Sequence, residues 1–402
     1  MASDLDKIFD SYSVGSIFKN KKVLQVNYTP GVITHRDKEI GSVASILAPI
    51  LQGERASNLF VYGKTGTGKT LSVHYVTKEI LKRINDSGKD NLKVIYVNCK
   101  LKKVADTEYR ILAELISALG ESVPATGLPT DAVYSKFIEI IERKPQLILL
   151  VLDEIDQAVK KISDGFLYTL TRLNSELKNA QISIVGISNS LTFMDGLDPR
   201  VRSSLGEEEV IFSPYNALEL QDVLKERAGL AFVDGVVDEG VFPLCSALAA
   251  REHGDARRAL DLLRVAGELA EREHSKKLTM EFIDKANHKI ERDKMLDIIE
   301  NEPRQHQLVL YSILHLQEEM KEQPVFTGTV YNTYQQYCSK AGLDALTQRR
   351  ISDIIAEFDM LGLINVDVVS RGRQGRTREI KLMIPDNLKL RAKEILSTAL
   401  VL

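Results

Sequence analysis

Between Asn58 and Val210 short apolar runs alternate with longer stretches in which apolar residues recur at helical spacing. Leu59–Tyr62, Val94–Val97, Leu147–Leu152, Ile182–Ile187 and Val210–Phe212 read as strands, with helix-period segments between them. That alternation predicts a mostly parallel sheet wrapped by helices, an α/β domain. From Asn216 to Ile299 the strand signal vanishes. Apolar residues there recur three or four apart, as in Leu260, Leu262, Leu263, Val265, Ala266 and Leu269, which predicts a separate helical domain.

A polar stretch with a proline, Glu300–Arg304, marks a second boundary. Beyond it the pattern reads helix, helix, helix, hairpin. Helices are expected near His306–Met320 and Thr329–Ala341, and Thr347 is a good N-cap for a third that runs to about Leu361. Strands Leu363–Val369 and Thr377–Met383 would flank the turn Ser370-Arg371-Gly372-Arg373-Gln374-Gly375-Arg376, whose glycines allow a long, mobile tip. The expected division is a base domain over 1–213, a lid over 214–302 and a third domain over 303–402.

With 402 residues, 44% hydrophobic and 27% charged, the chain has the composition of a folded globular protein with room for two or three cores. A net charge of −3 offers no global field toward nucleic acid or an anionic membrane, so any such attraction must be local. Three distant cysteines without CxxC spacing, Cys99, Cys245 and Cys338, argue against a disulfide framework or a cysteine zinc site and fit a reducing cytoplasm. No apolar run reaches 18 residues and the first thirty lack a leader pattern, so neither membrane spanning nor export is expected.

The segment Gly63-Lys64-Thr65-Gly66-Thr67-Gly68-Lys69-Thr70 matches the phosphate-loop pattern GxxxxGK[ST] and lies between a strand and a helix, as that loop requires. Its backbone N–H groups would converge on phosphate oxygens, Lys69 would reach the outer phosphates and the Thr70 hydroxyl would ligate Mg²⁺. A second apolar strand ends in Asp153-Glu154, which places two carboxylates at the carboxyl edge of the sheet. Asp153 would hold the magnesium and Glu154 would polarise an attacking water. Asn189, after the next strand, is placed to orient that water or touch the γ-phosphate; the alternative is a turn asparagine. In Gly254-Asp255-Ala256-Arg257-Arg258 an arginine opens a lid helix and could reach the nucleotide, or could be one of a surface pair.

This set in this order resembles the AAA+ ATPases, with Asn189 as sensor 1 and Arg257 as sensor 2. More narrowly, Tyr28-Thr29-Pro30, His35-Arg36, the box Pro199–Leu205 and the terminal winged-helix pattern resemble the archaeal replication initiators, homologues of the origin recognition complex and of its helicase-loading partner. The resemblance covers nearly the whole chain. It implies an AAA+ base with a helical lid and a C-terminal winged helix. It also implies binding of ATP or ADP with Mg²⁺, and slow, switch-like hydrolysis catalysed by Glu154, Lys69, Asn189 and Arg257.

By position, the resemblance implies that the segment Tyr28–Arg36 wraps the adenine, and that Tyr28, His35, Arg36 and Tyr215 join the phosphate loop and Arg257 in holding the nucleotide. The implied partners are double-stranded origin DNA, the replicative MCM helicase and paralogous initiator subunits, in the cytoplasm at the nucleoid. One departure is that no arginine stands at Ser203-Ser204, where many relatives carry a serine–arginine finger; Arg200 or Arg202 is left for any trans-acting role. The family's extra helix after the second strand, a second DNA contact there, falls in Lys100–Leu128. Read from the residues, it is amphipathic, with Ile111, Leu112, Leu115 and Ile116 packing inward.

Arg371, Arg373, Arg376, Arg378 and Lys381 fall on or beside one hairpin with only Glu379 opposing them, and Gln348, Arg349 and Arg350 start the third helix. A winged helix lays that helix in the major groove and its basic hairpin in the neighbouring minor groove. Two other readings stay open: a protein-directed AAA+ ATPase, clamp-loader-like or signalling, whose winged helix binds a protein, and a transcription regulator with ATP as effector.

Overall fold

The structure is a computed structural model and describes residues 16–25, 28–88, 91–100, 107–124, 127–205, 207–320, 323–370 and 376–402. The chain divides into two compact units, Met1–Ile283 and Asp284–Leu402.

The first unit is built on five strands: β1 (Asn58–Gly63), β2 (Leu92–Asn98), β3 (Gln146–Asp153), β4 (Ala180–Ser188) and β5 (Glu207–Phe212). They pair in the order β2-β3-β4-β1-β5, every pair parallel. The expected strands are all present, each extended by one to three residues at one or both ends. Their near-continuous apolar runs follow from burial on both faces, since a parallel sheet needs helical crossovers that cover it. Side chains alternate accordingly: Ile148, Leu150 and Leu152 enter one core, and Leu147, Leu149 and Val151 enter the other.

Helices α1 (Asp37–Leu47) and α2 (Lys69–Asp86) cover the second core. The first core is covered by α3 (Glu108–Ala118), α4 (Thr130–Ile141), α5 (Ile155–Ile162), α6 (Gly165–Glu176) and α7 (Pro199–Leu205). Helix α3 is capped by the Thr107 side chain, which accepts from the Arg110 N–H, and all four of Ile111, Leu112, Leu115 and Ile116 are buried as the pattern required. The lid follows, made of α8 (Ala217–Ala231), α9 (Val241–Arg251), α10 (Ala256–Arg272) and the start of α11 (Met280–Asn301). A capping box between Asn216 and Glu219 starts α8.

The second unit contains α12 (Arg304–Met320), β6 (Val325–Phe326), α13 (Thr327–Ala341), α14 (Gln348–Met360), β7 (Ile364–Ser370), β8 (Arg376–Leu382) and α15 (Asp386–Leu400). Its antiparallel sheet has the order β6-β8-β7. Helices α12 to α14, the Thr347 cap and the hairpin agree with the sequence pattern; β6 and α15 were not expected. Two residues are too few to show alternation, which hides β6. Helix α15 is visible in retrospect, because Leu388, Ala392, Leu396 and Leu400 recur every four residues and all are buried. No helix among the described residues is long and apolar enough to cross a membrane. Cys99, Cys245 and Cys338 are free and buried.

Candidate functional site

In the first unit a cavity of about 510 Å³ opens at the carboxyl ends of β1, β3 and β4. That edge is where a parallel sheet leaves loops and helix N-termini free to meet a ligand. Thr65, Gly66, Gly68, Lys69 and Thr70 line it, and α2 begins at Lys69 with its positive end toward the space. Gly63, Lys64 and Thr67 support the loop from behind. Thr67 is fully buried, and its hydroxyl donates to the Lys64 carbonyl at 2.9 Å.

Lys69 is 5% exposed, and its Nζ donates to the Gly63 and Lys64 carbonyls at 2.8 and 2.7 Å and to Asn189 Oδ1 at 2.9 Å. Burial pushes its pKa down to about 8, and the Asp153 carboxylate partly offsets this. The Thr70 hydroxyl donates to Asp153 Oδ2 at 3.0 Å. The Tyr96 hydroxyl bonds the same oxygen, and the Glu154 N–H donates to Asp153 Oδ1 at 2.9 Å.

Thr70 and Asp153 thus offer two hard oxygens side by side beneath the loop. This donor set fits Mg²⁺, which is usually held by one or two carboxylates together with substrate phosphates. Glu154 lies in the left-handed region (φ 53°) at the N-terminus of α5, and its carboxylate is 3.6 Å from Lys100 Nζ. Lys69, Thr70, Asp153, Glu154 and Asn189, five residues spread over 120 positions of sequence, therefore line one end of one cavity.

The lid reaches this end too. Asp255 caps α10 by accepting from the Arg257 and Arg258 N–H groups, and the Ala256 N–H donates to the Gly66 carbonyl at 3.3 Å. Gly66 has φ +73°, and a Cβ there would fall 1.7 Å from Asp255 Oδ1, so only glycine fits both the backbone and the contact. Arg257 lines the cavity.

Tyr28 and Tyr215 line it as well, but His35 and Arg36 do not. His35 Nε2 pairs with Asp222 at 2.9 Å. Arg36 is buried, donating to the Thr67 carbonyl at 2.8 Å and the Ser213 carbonyl at 2.7 Å, with Tyr215 stacked 3.7 Å from its guanidinium carbon. Its Nη1 also pairs with Glu39 Oε1 at 3.2 Å, so its donors go to the Thr67 and Ser213 carbonyls and to this carboxylate, and it braces the loop from behind rather than facing the space.

Three contributors were missed in the sequence. Asp156 is buried and accepts from the Ser188 hydroxyl at 3.1 Å and the Asn189 N–H at 3.4 Å, which fixes the turn that carries Asn189. Its position just after the Asp-Glu pair was the available signal. Tyr96 needed strand register: it lies opposite Val151 in β3, two residues before Asp153. Arg227 lines the far end of the cavity and lay in an ordinary charged helix pattern, with no signal in sequence.

Arg200 and Arg202 are exposed on α7, near Asp198 and Asp195 at 3.3 and 3.6 Å. In the second unit, Gln348, Arg349 and Arg350 are exposed at the start of α14. Arg378 is half-buried, and its guanidinium donates to the Ser352 carbonyl at 3.1 Å, tying β8 to α14. Arg371 and Arg373 lie outside the described residues; Arg376 opens β8, opposite Ser370. The hairpin is less one-sidedly basic than its own run suggested. Asp367 on the facing strand pairs with Lys381 at 3.2 Å, and Glu379 stands 3.7 Å from it, because antiparallel pairing brings in charges that linear spacing does not show.

A phosphate loop on a five-stranded parallel sheet, a paired acidic strand end, a helical lid and a winged helix in one chain define an AAA+ ATPase fold with a C-terminal winged-helix domain. Family models agree: an AAA domain matches residues 52–194, a Cdc6 AAA+ ATPase-type lid domain 221–288 and a CDC6 C-terminal winged helix domain 297–392.

The chain is 53% identical to an ORC1-type DNA replication protein of Thermococcus onnurineus over 94% of its own length and 92% of that protein's. It is 50% identical to an ORC1-type DNA replication protein 1 of Methanosarcina acetivorans, over 96% and 92%. A solved structure of the Aeropyrum pernix ORC1 protein in complex with DNA shares 44% identity and superposes with a TM-score of 0.82, covering 96% of this chain and all of that one. The chain belongs to the family of ORC1-type DNA replication proteins.

Proposed function

We propose that the chain is an ATP-switched replication initiator that grips origin duplex DNA and helps load the replicative MCM helicase. Its working parts would be a base over 1–213, a lid over 214–302 and a winged helix over 303–402. The observation that carries the nucleotide part is the convergence of the Lys69 ammonium, the Asn189 amide and the Thr70–Asp153 pair beneath a glycine loop at one end of a cavity of nucleotide size. The loop amides and Lys69 hold the outer phosphates. When bound with the nucleotide, Mg²⁺ at Thr70 and Asp153 would screen the phosphate charge.

Glu154 accepts the proton of the attacking water, Asn189 orients that water, and Arg257 reports the phosphate state to the lid. Few groups here do covalent chemistry, which suits phosphoryl transfer, where positioning and charge stabilisation dominate. A slow turnover makes the bound nucleotide a switch, and paralogous subunits are the candidates to supply or receive Arg200 or Arg202.

The pKa of Lys69 has a measurable consequence. Between about pH 8 and 10.5 the unfolded chain binds more protons at this lysine than the folded one, so its contribution makes the nucleotide-free protein more stable as pH rises through that window. A phosphate beside the ammonium reverses the shift. Binding of adenine nucleotide at a pH of about 8.5 should therefore take up a fraction of a proton, and affinity should fall as pH rises above about 8. Calorimetry in two buffers of different ionisation enthalpy reads this directly. Equal heats would mean that the lysine is already fully charged.

Duplex binding is supported by the exposed Gln348, Arg349 and Arg350 at the helix start, and by the relative of Aeropyrum pernix whose structure contains DNA. Each lost phosphate contact removes about 0.9 from the slope of log K against log salt. Joint replacement of Arg371 and Arg373 by alanine should weaken duplex binding and flatten that slope by about one to two. An unchanged affinity and slope would favour a protein partner for the winged helix instead.

A further inference from the structure

One wall of the nucleotide cavity is made by described residues ahead of α1, among them Leu24, Tyr28, Pro30, Val32 and Ile33. Their segment is fastened to the lid at its start. Phe18 stacks on Phe232 with ring centroids 4.5 Å apart, and the Lys19 and Asn20 N–H groups both donate to the Ala231 carbonyl at 2.7 and 3.0 Å. Gly267 leaves the room for this packing, since a Cβ there would lie 2.4 Å from the Phe18 ring. At its other end the segment is fastened to the base, where Arg36 holds the Thr67 and Ser213 carbonyls. Between the two anchors Tyr28, Pro30, Val32 and Ile33 line the cavity. This strap brings a tyrosine, a proline and aliphatic side chains to the site, with Gln25, Thr29 and Thr34 among them, while the phosphate loop lies at the other end.

Arg227, on α8 of the lid, meets the strap at this wall. It is 6% exposed, lies 4.6 Å above the Tyr28 ring and donates from Nη1 to the Val23 carbonyl at 3.2 Å. A buried guanidinium must recover the solvation it loses, and here a ring face and a main-chain oxygen do so. The planar shape of arginine suits this double contact, which a lysine ammonium meets only in part.

Building on the nucleotide reading above, we propose that Arg227 is a positioning residue for the nucleobase. By clamping Tyr28 and Val23 it holds the strap as the wall on which the base and ribose pack, so that the lid senses the base end of the ligand separately from its phosphates. The class of ligand that this wall takes is a nucleoside di- or triphosphate, and inorganic polyphosphate lacks the part that it reads.

The test titrates ADP and inorganic tripolyphosphate into the full-length protein by calorimetry, for wild type, Arg227→Ala, Arg227→Lys and Tyr28→Ala. In Arg227→Ala and Tyr28→Ala, ADP affinity should fall about tenfold or more, with tripolyphosphate affinity held within about twofold and Arg227→Lys intermediate. Unchanged ADP affinity in Arg227→Ala would overturn the inference whatever Tyr28→Ala does, as would equal loss of both ligands, which would place the effect on the phosphate loop or the whole fold. Should Arg227→Ala fail to fold, Arg227→Lys decides on the same two ligands: an ADP affinity equal to wild type would overturn the inference, and a selective loss of ADP would support it. A wild-type protein that binds neither ligand would overturn the nucleotide reading itself, a result distinct from either of these.

Discussion

Replacing Lys69 by alanine is expected to abolish retention of adenine nucleotide, with a loss of affinity of about 10²- to 10³-fold, or roughly 3 to 4 kcal/mol. The size follows from where the ammonium sits. It is buried, it is aimed at the space under the loop, and it is already positioned by three acceptors, the Gly63 and Lys64 carbonyls and Asn189. A phosphate arriving there gains a charge-assisted contact without the cost of ordering a long side chain. The alanine variant loses that contact and also leaves three acceptors without their donor. Displacement of a fluorescent adenine nucleotide measures the affinity, and wild-type binding by Lys69→Ala would remove the lysine from the site.

The second large effect concerns Glu154. Glu154→Gln should keep ATP bound and lower its hydrolysis by about 10²- to 10⁴-fold, the range that a positioned general base contributes. Glutamine preserves the size of the side chain and its place at the N-terminus of α5, and it leaves Asp153 and Thr70 untouched, so binding and turnover should separate. The 3.6 Å pairing of Glu154 with Lys100 is partly exposed and worth little in stability. The variant should therefore melt close to wild type. Single-turnover hydrolysis with radiolabelled ATP makes the comparison, and equal rates for the two proteins would take Glu154 out of the role of base.

Much of the site was legible in the residues because its chemistry is local. A phosphate loop needs glycines, a lysine and a hydroxyl at set spacing, and a strand that ends in Asp-Glu carries its carboxylates to the sheet edge whatever surrounds it. The apolar face of α3 was equally plain, since Ile111, Leu112, Leu115 and Ile116 follow the helical repeat. Tyr96 and Arg227 were not legible, because each acts on a group supplied by another element, Asp153 across the sheet and the residues ahead of α1; Asp156 showed only its place after the Asp-Glu pair, while its partner, the turn after β4, did not show. Arg36 shows the converse. Its place in a family pattern suggested contact with the nucleotide, while its three-dimensional surroundings direct it to the carbonyls of Thr67 and Ser213.

By itself, then, the order of residues determined the parallel sheet, the phosphate loop, the acidic strand end and the three helices and hairpin of the second unit, since these depend on periodicity and on spacings of a few positions. Tertiary structure alone decided that Asp255 of the lid rests on Gly66, that Asp367 offsets Lys381, and that Tyr28, Pro30, Val32 and Ile33 close one side of the cavity, with Arg227 over the Tyr28 ring. These are meetings of groups far apart in the chain. Strand register, helix packing and burial set them, and no local pattern encodes which distant partner a side chain will face.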